Sequence, residues 1–153
     1  MKLEINHILI RTTNLDAMIR FFEQALELKN GKRPPFAFTG AWLWSDDKPL
    51  IHLSEANPVD QGQLDYLGGK KINSDSGTGI IDHIAFSDQH YPKLMERLQR
   101  HQLSFFERTV PLTGEHQVFI EGPEGLRIEV QFDSSLDIKT SRCASNPARD
   151  FSH

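Results

Sequence analysis

The chain repeats itself, and this repeat restricts the possible folds more than any other feature. Residues 5–10 (INHILI) and residues 81–86 (IDHIAF) share one pattern: apolar, small polar, His, then apolar. Their histidines, His7 and His83, stand 76 positions apart, about half of the 153-residue chain. The ends of the halves also match, since residues 50–53 (LIHL) and 127–130 (RIEV) lie 77 positions apart. Repetition at this period predicts two copies of one supersecondary unit.

One helix is predicted near the start of each half. Thr13 or Asn14 can cap a helix that begins at Leu15, where apolar residues recur at helical spacing until residues 29–31 stop it. The second helix has Pro92 in its first turn, which suits proline, and ends between Gln99 and His101.

Strand-like segments follow each helix. They cover residues 36–38, 41–44 and 50–54 in the first half and residues 104–109, 117–121 and 126–132 in the second. Each half therefore predicts a βαβββ module, and the fold class is α+β. The predicted boundaries are a first module at 1–56, a linker loop at 57–79, a second module at 80–132 and a C-terminal tail at 133–153.

Composition excludes several classes of protein. The only cysteine, Cys143, leaves no internal disulfide and no cysteine-based zinc site. There is no apolar run of the ~18 residues that a membrane span needs, and the N-terminus lacks a signal-peptide stretch. The net charge of −4 without a basic block argues against a nucleic-acid partner. We expect a cytoplasmic protein.

Histidines and one glutamate occupy matching strand positions in the two halves. Because strands alternate their faces, one face should carry His7 with His52, or His83 with Glu129, and the other face the core. A carboxylate within an apolar strand is costly unless it is paired or bound to a metal. Any of these histidines alone could be a hydrogen-bonded structural residue, but the paired placement favours a shared metal site. Such ligands suit Zn, Ni, Fe, Co or Mn.

Four motifs together resemble the vicinal oxygen chelate (VOC) superfamily, which includes glyoxalase I, methylmalonyl-CoA epimerase, extradiol dioxygenases, and fosfomycin and bleomycin resistance proteins. The similarity covers about residues 2–132 and rests on residues 6–11 (NHILIR), 50–53 (LIHL), 82–86 (DHIAF) and 118–129 (VFIEGPEGLRIE). It implies that the paired modules form a curled eight-stranded mixed sheet around one divalent metal. It implies that His7, His83 and Glu129 are metal ligands. His52 falls on the fourth ligand position, where glyoxalase I has Glu or Gln.

The activity implied first is that of a glyoxalase I-like lyase or isomerase. Such an enzyme acts on a small substrate with two oxygens through an enediolate-type intermediate. His52 is either a ligand or a free base, and Glu129 is the other candidate base. Arg11, four residues after His7, resembles an arginine that binds the substrate carboxylate in glyoxalase I, although it could equally be a surface residue.

The second implied activity is that of an Fe(II) extradiol dioxygenase acting on a catechol. His7, His83 and Glu129 would form its facial triad, and His52 with His116 its acid–base pair. Phe119 stands where that family has a tyrosine, which argues against this alternative. A third possibility is a drug-binding protein of the fosfomycin or bleomycin resistance type, although bleomycin-binding members lack the metal ligands.

Aromatic residues are the candidates for the walls of a substrate pocket, with plain core packing as the alternative. Trp42 and Trp44 share one strand face, Phe36 and Phe38 share that of an adjacent strand, and Phe119 is a further candidate. Arg33 stands before two prolines and is a candidate anion contact. The superfamily implies a homodimer, in which His7 and His52 can come from one subunit and the other two ligands from its partner.

Overall fold

The computed structural model of the protein describes residues 5–56, 61–66, 77–78, 81, 83–111, 113–136 and 138. The chain divides into two units. Unit 1 comprises Met1–Gly79 with Pro123–Gly125, and unit 2 comprises Ile80–Gly122 with Leu126–His153. Most of the predicted linker loop and of the predicted C-terminal tail lies outside the described residues.

Unit 1 contains a four-stranded mixed sheet with the strand order β1-β4-β3-β2, in which β1 and β4 run parallel. The Asn14 side chain accepts a hydrogen bond from Ala17 N (3.0 Å), and this cap begins the first helix where the sequence predicts it. The elements are β1 (Ile8–Thr12), α1 (Leu15–Leu26), β2 (Lys29–Gly31), β3 (Gly40–Ser45), β4 (Lys48–Glu55) and α2 (Gln61–Tyr66).

Unit 2 repeats this topology with the strand order β5-β8-β7-β6, again with its first and last strands parallel. Pro92 lies in the first turn of the helix, as predicted. The elements are β5 (Ile84–Ser87), α3 (Tyr91–Arg100), β6 (Phe105–Thr109), β7 (His116–Glu121) and β8 (Arg127–Phe132). The 3₁₀ turn Pro123–Gly125 between β7 and β8 belongs to unit 1.

The predicted repeat is confirmed down to the pairing of single residues. Ile8 pairs with Ile51 in unit 1, and Ile84 pairs with Ile128 in unit 2. Likewise, Trp42 lies opposite His52, and Phe119 lies opposite Glu129. The two βαβββ modules are therefore equivalent in register at these pairs, and His52 corresponds to Glu129.

One face of each sheet carries the apolar core, as the alternation of apolar residues predicts, and in unit 2 the other face is also buried at Gln117, Phe119 and Glu129. Met18 and Phe22 of α1 are buried, as are Leu43 and Ile51 on its sheet; in unit 2 the buried residues are Leu94, Leu98, Val118, Ile128, Val130 and Phe132. Burying each large side chain stabilises the fold by about 1.5–3 kcal/mol. The residues between them on β4 and β8, which include His52 and Glu129, lie on the opposite face.

The predicted strand at residues 36–38 is wrong. These residues form a loop, and the second strand is Lys29–Gly31, which we expected only to end the helix. Pro34 and Pro35 lack the N–H groups that a ladder needs, and Arg33 Nη2 donates to the Phe38 carbonyl (2.8 Å) within the loop. The helix instead ends at Glu27, which has a left-handed backbone (φ 56°), so that the chain can turn directly into β2.

Two further details differ from the sequence prediction. His7 and His83 each lie one residue before a strand rather than within it. In unit 1 this follows from a register shift in the β3–β4 ladder beside Leu50, so that pairing with β1 begins at Ile51. The segment predicted as a linker loop contains α2, where Gln63 Nε2 donates to Ser54 Oγ (2.9 Å) and the Glu55 carbonyl (2.5 Å).

Candidate functional site

In unit 1, His52 lies in a stack of three aromatic rings. The neighbouring strands fix this stack, because β4 lies between β1 and β3. On one side the Trp42 ring lies parallel to the imidazole, with centroids 4.0 Å apart and planes at 6°. On the other side His7 stacks at 4.0 Å and 12°. The stack fixes the plane of the His52 ring and leaves only its edge for chemistry.

The Nε2 atom of His52 is buried and has no hydrogen-bond partner within the part of the chain that the structure describes. Burial lowers the pKa of His52, the nearby His7 lowers it further, and a hydrogen bond with the Pro49 backbone offsets part of this. The ring is therefore neutral at neutral pH, which is the form that binds metals or accepts protons. A buried nitrogen without a partner is costly, so it points to a missing ligand.

In unit 2, the equivalent position holds the carboxylate of Glu129, which is only 4% exposed. Its Oε2 lies 2.9 Å from His83 Nε2, and its Oε1 accepts from Gln117 Nε2 (2.8 Å). Phe119 stands edge-on to His83, with ring centroids 5.4 Å apart. The structure thus pairs an imidazole with a carboxylate, as the sequence predicts, and holds both oxygens in place.

The four predicted ligands form two pairs, His7 with His52 and His83 with Glu129. Over the described residues, no group of three or more His, Cys, Asp or Glu side chains could hold a metal ion. Each unit by itself therefore supplies two candidate ligands.

His116 lies on the other face of the unit 2 sheet. It pairs in register with Phe132, a core residue. Glu129 is three residues before Phe132 on β8, so its side chain lies on the opposite face of the sheet. Its Nε2 lies 2.7 Å from Glu107 Oε2 and its Nδ1 lies 2.9 Å from Thr109 Oγ1. The structure does not bring His116 to the His83–Glu129 pair. Strand parity in the sequence separates His116 from Phe119, three residues later on β7, and the register then places Phe119 opposite Glu129.

The predicted substrate-binding residues of unit 1 occupy different places. Arg11 is half-buried on β1, opposite Ser54 of β4. Trp42 and Trp44 share a face of β3, as predicted, but Trp44 Nε1 donates to the Lys32 carbonyl (3.1 Å), at the β2 side of the sheet. Of these two tryptophans, Trp42 is the one that stacks on His52.

A cavity of about 90 Å³ lies beside the His52 stack. It is lined in part by Leu9, Arg33, Phe36, Phe38, Trp42 and His52. Sequence reasoning proposed the aromatic lining of this cavity. It did not find Gln117, which orients Glu129, although a mid-strand amide on the same face is the signal that could have revealed it.

A comparison with family models places the chain in a known family. Residues 4–130 match the model of the Glyoxalase/Bleomycin resistance protein/Dioxygenase superfamily. The chain belongs to this superfamily. The resemblance that the sequence motifs carry is thereby confirmed. A search of curated proteins finds no match.

Solved structures of the superfamily share the fold. One is a glyoxalase/bleomycin resistance protein/dioxygenase from Nocardioides (16% identity, 88% of this chain and 86% of that chain, TM-score 0.65). Another is a glyoxylase/bleomycin resistance protein/dioxygenase domain from Frankia (19%, 87% and 99%, 0.63). A third is the fosfomycin resistance protein FosX from Listeria monocytogenes (13%, 92% and 99%, 0.61). At these identities the likeness concerns the fold.

Known members of this superfamily are often metal-dependent enzymes that take small molecules, which agrees with the donor atoms found here. None of the helices that the structure describes is long and apolar enough to cross a membrane.

Proposed function

We propose that this protein is a metal-dependent enzyme that acts, like glyoxalase I, as a lyase or isomerase on a small substrate with two oxygens. The observation that supports this most is the equivalence of His52 and Glu129. Each lies on the face of its sheet that is opposite to the apolar core, each pairs with an aromatic residue of the next strand, and each contacts the histidine that precedes the first strand of its module.

The donor atoms fit a divalent metal. His52 presents a neutral imidazole with an unpartnered Nε2 (among the described residues), and Glu129 presents a buried carboxylate beside His83. Nitrogen and carboxylate donors suit Zn, Ni, Fe, Co or Mn. In the proposed homodimer, His7 and His52 of one subunit and His83 and Glu129 of the other hold one metal per site.

The reaction we propose is a proton transfer at a carbon next to an oxygen of the substrate. A bound divalent cation would act as a Lewis acid and stabilise the charge of an enediolate. Glu129 Oε2 takes the proton from this carbon and returns it to the neighbouring carbon, or His52 Nε2 does so if this nitrogen is not a ligand. Gln117 holds Glu129 Oε1 (2.8 Å) and so fixes the direction of the carboxylate. Trp42 and Phe119 form apolar walls, and Arg11 is the anion contact implied by the superfamily.

An Fe(II) extradiol dioxygenase is the second candidate, because two histidines and one carboxylate are its usual donor set. The position of His116 in the core weighs against it, since His116 was to be half of the acid–base pair. A drug-binding or resistance function of the FosX type is the third.

The decisive experiment compares two reactions of the metal-loaded protein. Anaerobically Fe(II)-loaded protein is given a panel of catechols, and oxygen uptake is measured. Protein loaded with Ni, Zn or Co is given hemithioacetals and acyl thioesters, and product formation is measured. Our proposal predicts turnover in the second set without oxygen. Stoichiometric oxygen uptake with ring-cleaved product would replace it with the dioxygenase function.

The homodimer and the cytoplasmic location are parts of the same proposal. Light scattering of the metal-loaded protein should give the mass of a dimer. A monomer that still binds one metal per chain would contradict the shared site.

A further inference from the structure

The hydrogen bonds of His7 and His52 determine which ring nitrogen carries the lone pair. Pro49 has no N–H, so in its backbone hydrogen bond with His52 the imidazole donates to the carbonyl. Because Nε2 has no partner among the described residues, Nδ1 is this donor. In His7, Nδ1 lies 2.7 Å from Asn6 Oδ1, which can only accept. Each ring therefore has its lone pair on Nε2, as in histidines that bind metals.

The stack holds these two lone pairs in nearly parallel planes. The ring planes of His7 and His52 differ by 12°, and their centroids are 4.0 Å apart. The lone pair of an imidazole nitrogen lies in the ring plane, and a Zn–N bond is about 2.0–2.1 Å long. Planes that are about 3.5 Å apart and inclined at 12° meet only roughly 16 Å away. One metal ion therefore cannot bind both Nε2 atoms while the rings remain stacked.

Access to the Nε2 atom of His52 also requires a movement. This atom is buried, although it has no hydrogen-bond partner in the described part of the chain, so a ligand reaches it only after a neighbour has moved. Trp42 pairs in register with His52 inside the sheet, which holds its ring in place. His7 is exposed, lies before β1 and bonds to its neighbour Asn6. Of the two stacked rings, His7 is the one that can turn away without breaking the sheet.

We propose that the His7 side chain is a gate over His52, which covers Nε2 in the metal-free protein and turns off the stack when a divalent cation binds. His52 stays on Trp42, so one ring of the site is fixed and the other moves. After this turn the two lone pairs can point to one ion. The inference rests on the proposed function for the identity of the ligand, whereas the covering of His52 by His7 needs no metal.

The first test measures the access to His52 without any metal. Full-length protein treated with EDTA reacts at neutral pH with diethyl pyrocarbonate, which modifies neutral imidazoles, and peptide mass spectrometry follows each histidine. Because a stacked pair of rings is worth about tenfold in an equilibrium, His52 should react up to about tenfold faster in His7→Ala than in the wild-type protein. His7→Phe keeps a ring on the stack and should leave His52 protected.

The control for this reaction lies within the same protein. His90 is exposed before α3 and should react equally fast in all three proteins. Circular dichroism and the melting temperature verify the fold of each variant. Equal rates at His52 in the wild-type protein and in His7→Ala would overturn the gate.

The second test follows the rings while a metal binds. Zn(II) is added to the EDTA-treated wild-type protein, and NMR measures the nuclear Overhauser effects between ring protons. We expect the cross-peaks between His7 and His52 to disappear at saturation, while those between Trp42 and His52 remain. Cross-peaks between His7 and His52 that persist at saturation would overturn the proposal, whichever nitrogen holds the ion.

Two outcomes separate this inference from the proposed function. If no divalent metal binds but His7 protects His52, the enzymatic proposal fails and the covering role of His7 stands. If the wild-type protein binds metal and turns over substrate, but His52 reacts equally fast with and without the His7 ring, the gate fails and the enzymatic proposal stands.

Discussion

The faces of the two sheets that lie opposite the apolar core carry the same arrangement with different chemical groups. In unit 1 the central position holds an imidazole, His52, which stacks on its neighbours through both faces of its ring and leaves Nε2 without a partner among the described residues. In unit 2 the equivalent position holds the carboxylate of Glu129, and both of its oxygens have partners, His83 and Gln117.

This difference follows from the cost of burying each group. A neutral imidazole can be buried with one nitrogen unpaired at a cost of about 1–3 kcal/mol, whereas an isolated buried carboxylate would cost far more or become protonated. Unit 2 must therefore contain its own partners for Glu129 before any ligand arrives. Unit 1 can leave His52 unsatisfied until a ligand binds. A repeat that keeps its register can thus hold one prearranged half of a site and one half that awaits a ligand.

The largest effect is expected for Glu129→Gln. The amide keeps the shape of the side chain but removes the charge, so metal affinity and turnover should each fall by about 100-fold or more. Metal content by mass spectrometry and the rate with the best substrate measure this. The matched control is Glu121→Gln, which removes a carboxylate that pairs with Arg127 (3.0 Å). Near-normal turnover of Glu129→Gln would show that Glu129 is neither a ligand nor the base and would contradict its equivalence with His52 in one site.

A second histidine–carboxylate pair in unit 2 tests whether the sheet face matters. Glu107 Oε2 accepts from Tyr91 (2.6 Å) and contacts His116 (2.7 Å) on the core side. His116→Phe should lower the free energy of unfolding by about 2 kcal/mol, because it leaves buried polar groups unpaired, without changing metal affinity. Urea denaturation and metal titration measure the two quantities. A loss of metal binding in a well-folded variant would contradict the separation of the two faces.

The turns before β4 and β8 differ in how much one acidic side chain stabilises the fold, and this difference is smaller. Glu124 accepts hydrogen bonds from the side chains of Thr12 and Thr13 and from Thr13 N (2.8 Å). Burial alone would raise the pKa of Glu124, but these hydrogen bonds outweigh it, so the pKa lies below its ordinary value. The carboxylate therefore stabilises the fold at pH values above its unfolded pKa of about 4.3, and this stabilisation is lost as the pH falls through the lower folded value.

Glu124→Gln should accordingly lower the free energy of unfolding by about 1 kcal/mol at pH 7, and the difference should disappear towards pH 3. Urea denaturation at several pH values measures it. Asp47→Asn, in the exposed turn between β3 and β4, should change stability by less than about 0.5 kcal/mol. A pH-independent effect of Glu124→Gln would mean that the charge plays no part.

The smallest expected effect on stability is that of His52→Phe, which tests the comparison of His52 with Glu129 most directly. His52→Phe keeps a ring in the stack but removes both the unpartnered nitrogen and the hydrogen bond with the Pro49 backbone. Because these two effects oppose each other, the stability of the metal-free protein should change by less than about 1 kcal/mol, while metal binding weakens. Thermal unfolding in EDTA measures the change, with His101→Phe at the end of α3 as the control. Destabilisation by His52→Phe of more than about 2 kcal/mol would indicate that Nε2 also has a partner, such as water, in the metal-free protein.

The sequence predicted the repeat, the helix starts and the sharing of faces because these depend on local periodicity. It did not predict that Phe36 and Phe38 form a loop, because their alternation is that of a strand, and their contacts with Arg33 depend on the fold. It also could not show that His52 stacks on Trp42, because this requires the register of two strands that a bulge shifts. Motifs identified the candidate ligands, but their hydrogen-bond partners come from residues distant in sequence.

The turn Pro123–Gly125 has a consequence for dividing the chain. It belongs to unit 1, where Glu124 accepts from the threonines before α1 and its carbonyl accepts from Gly77 N (2.6 Å). If the halves were expressed as separate fragments cut near residue 79, the first fragment would lack Glu124, which accepts the hydrogen bonds of Thr12 and Thr13 before α1. We therefore expect the first fragment to be unstable alone and to be stabilised when the second fragment is added, although each half carries a complete set of four strands.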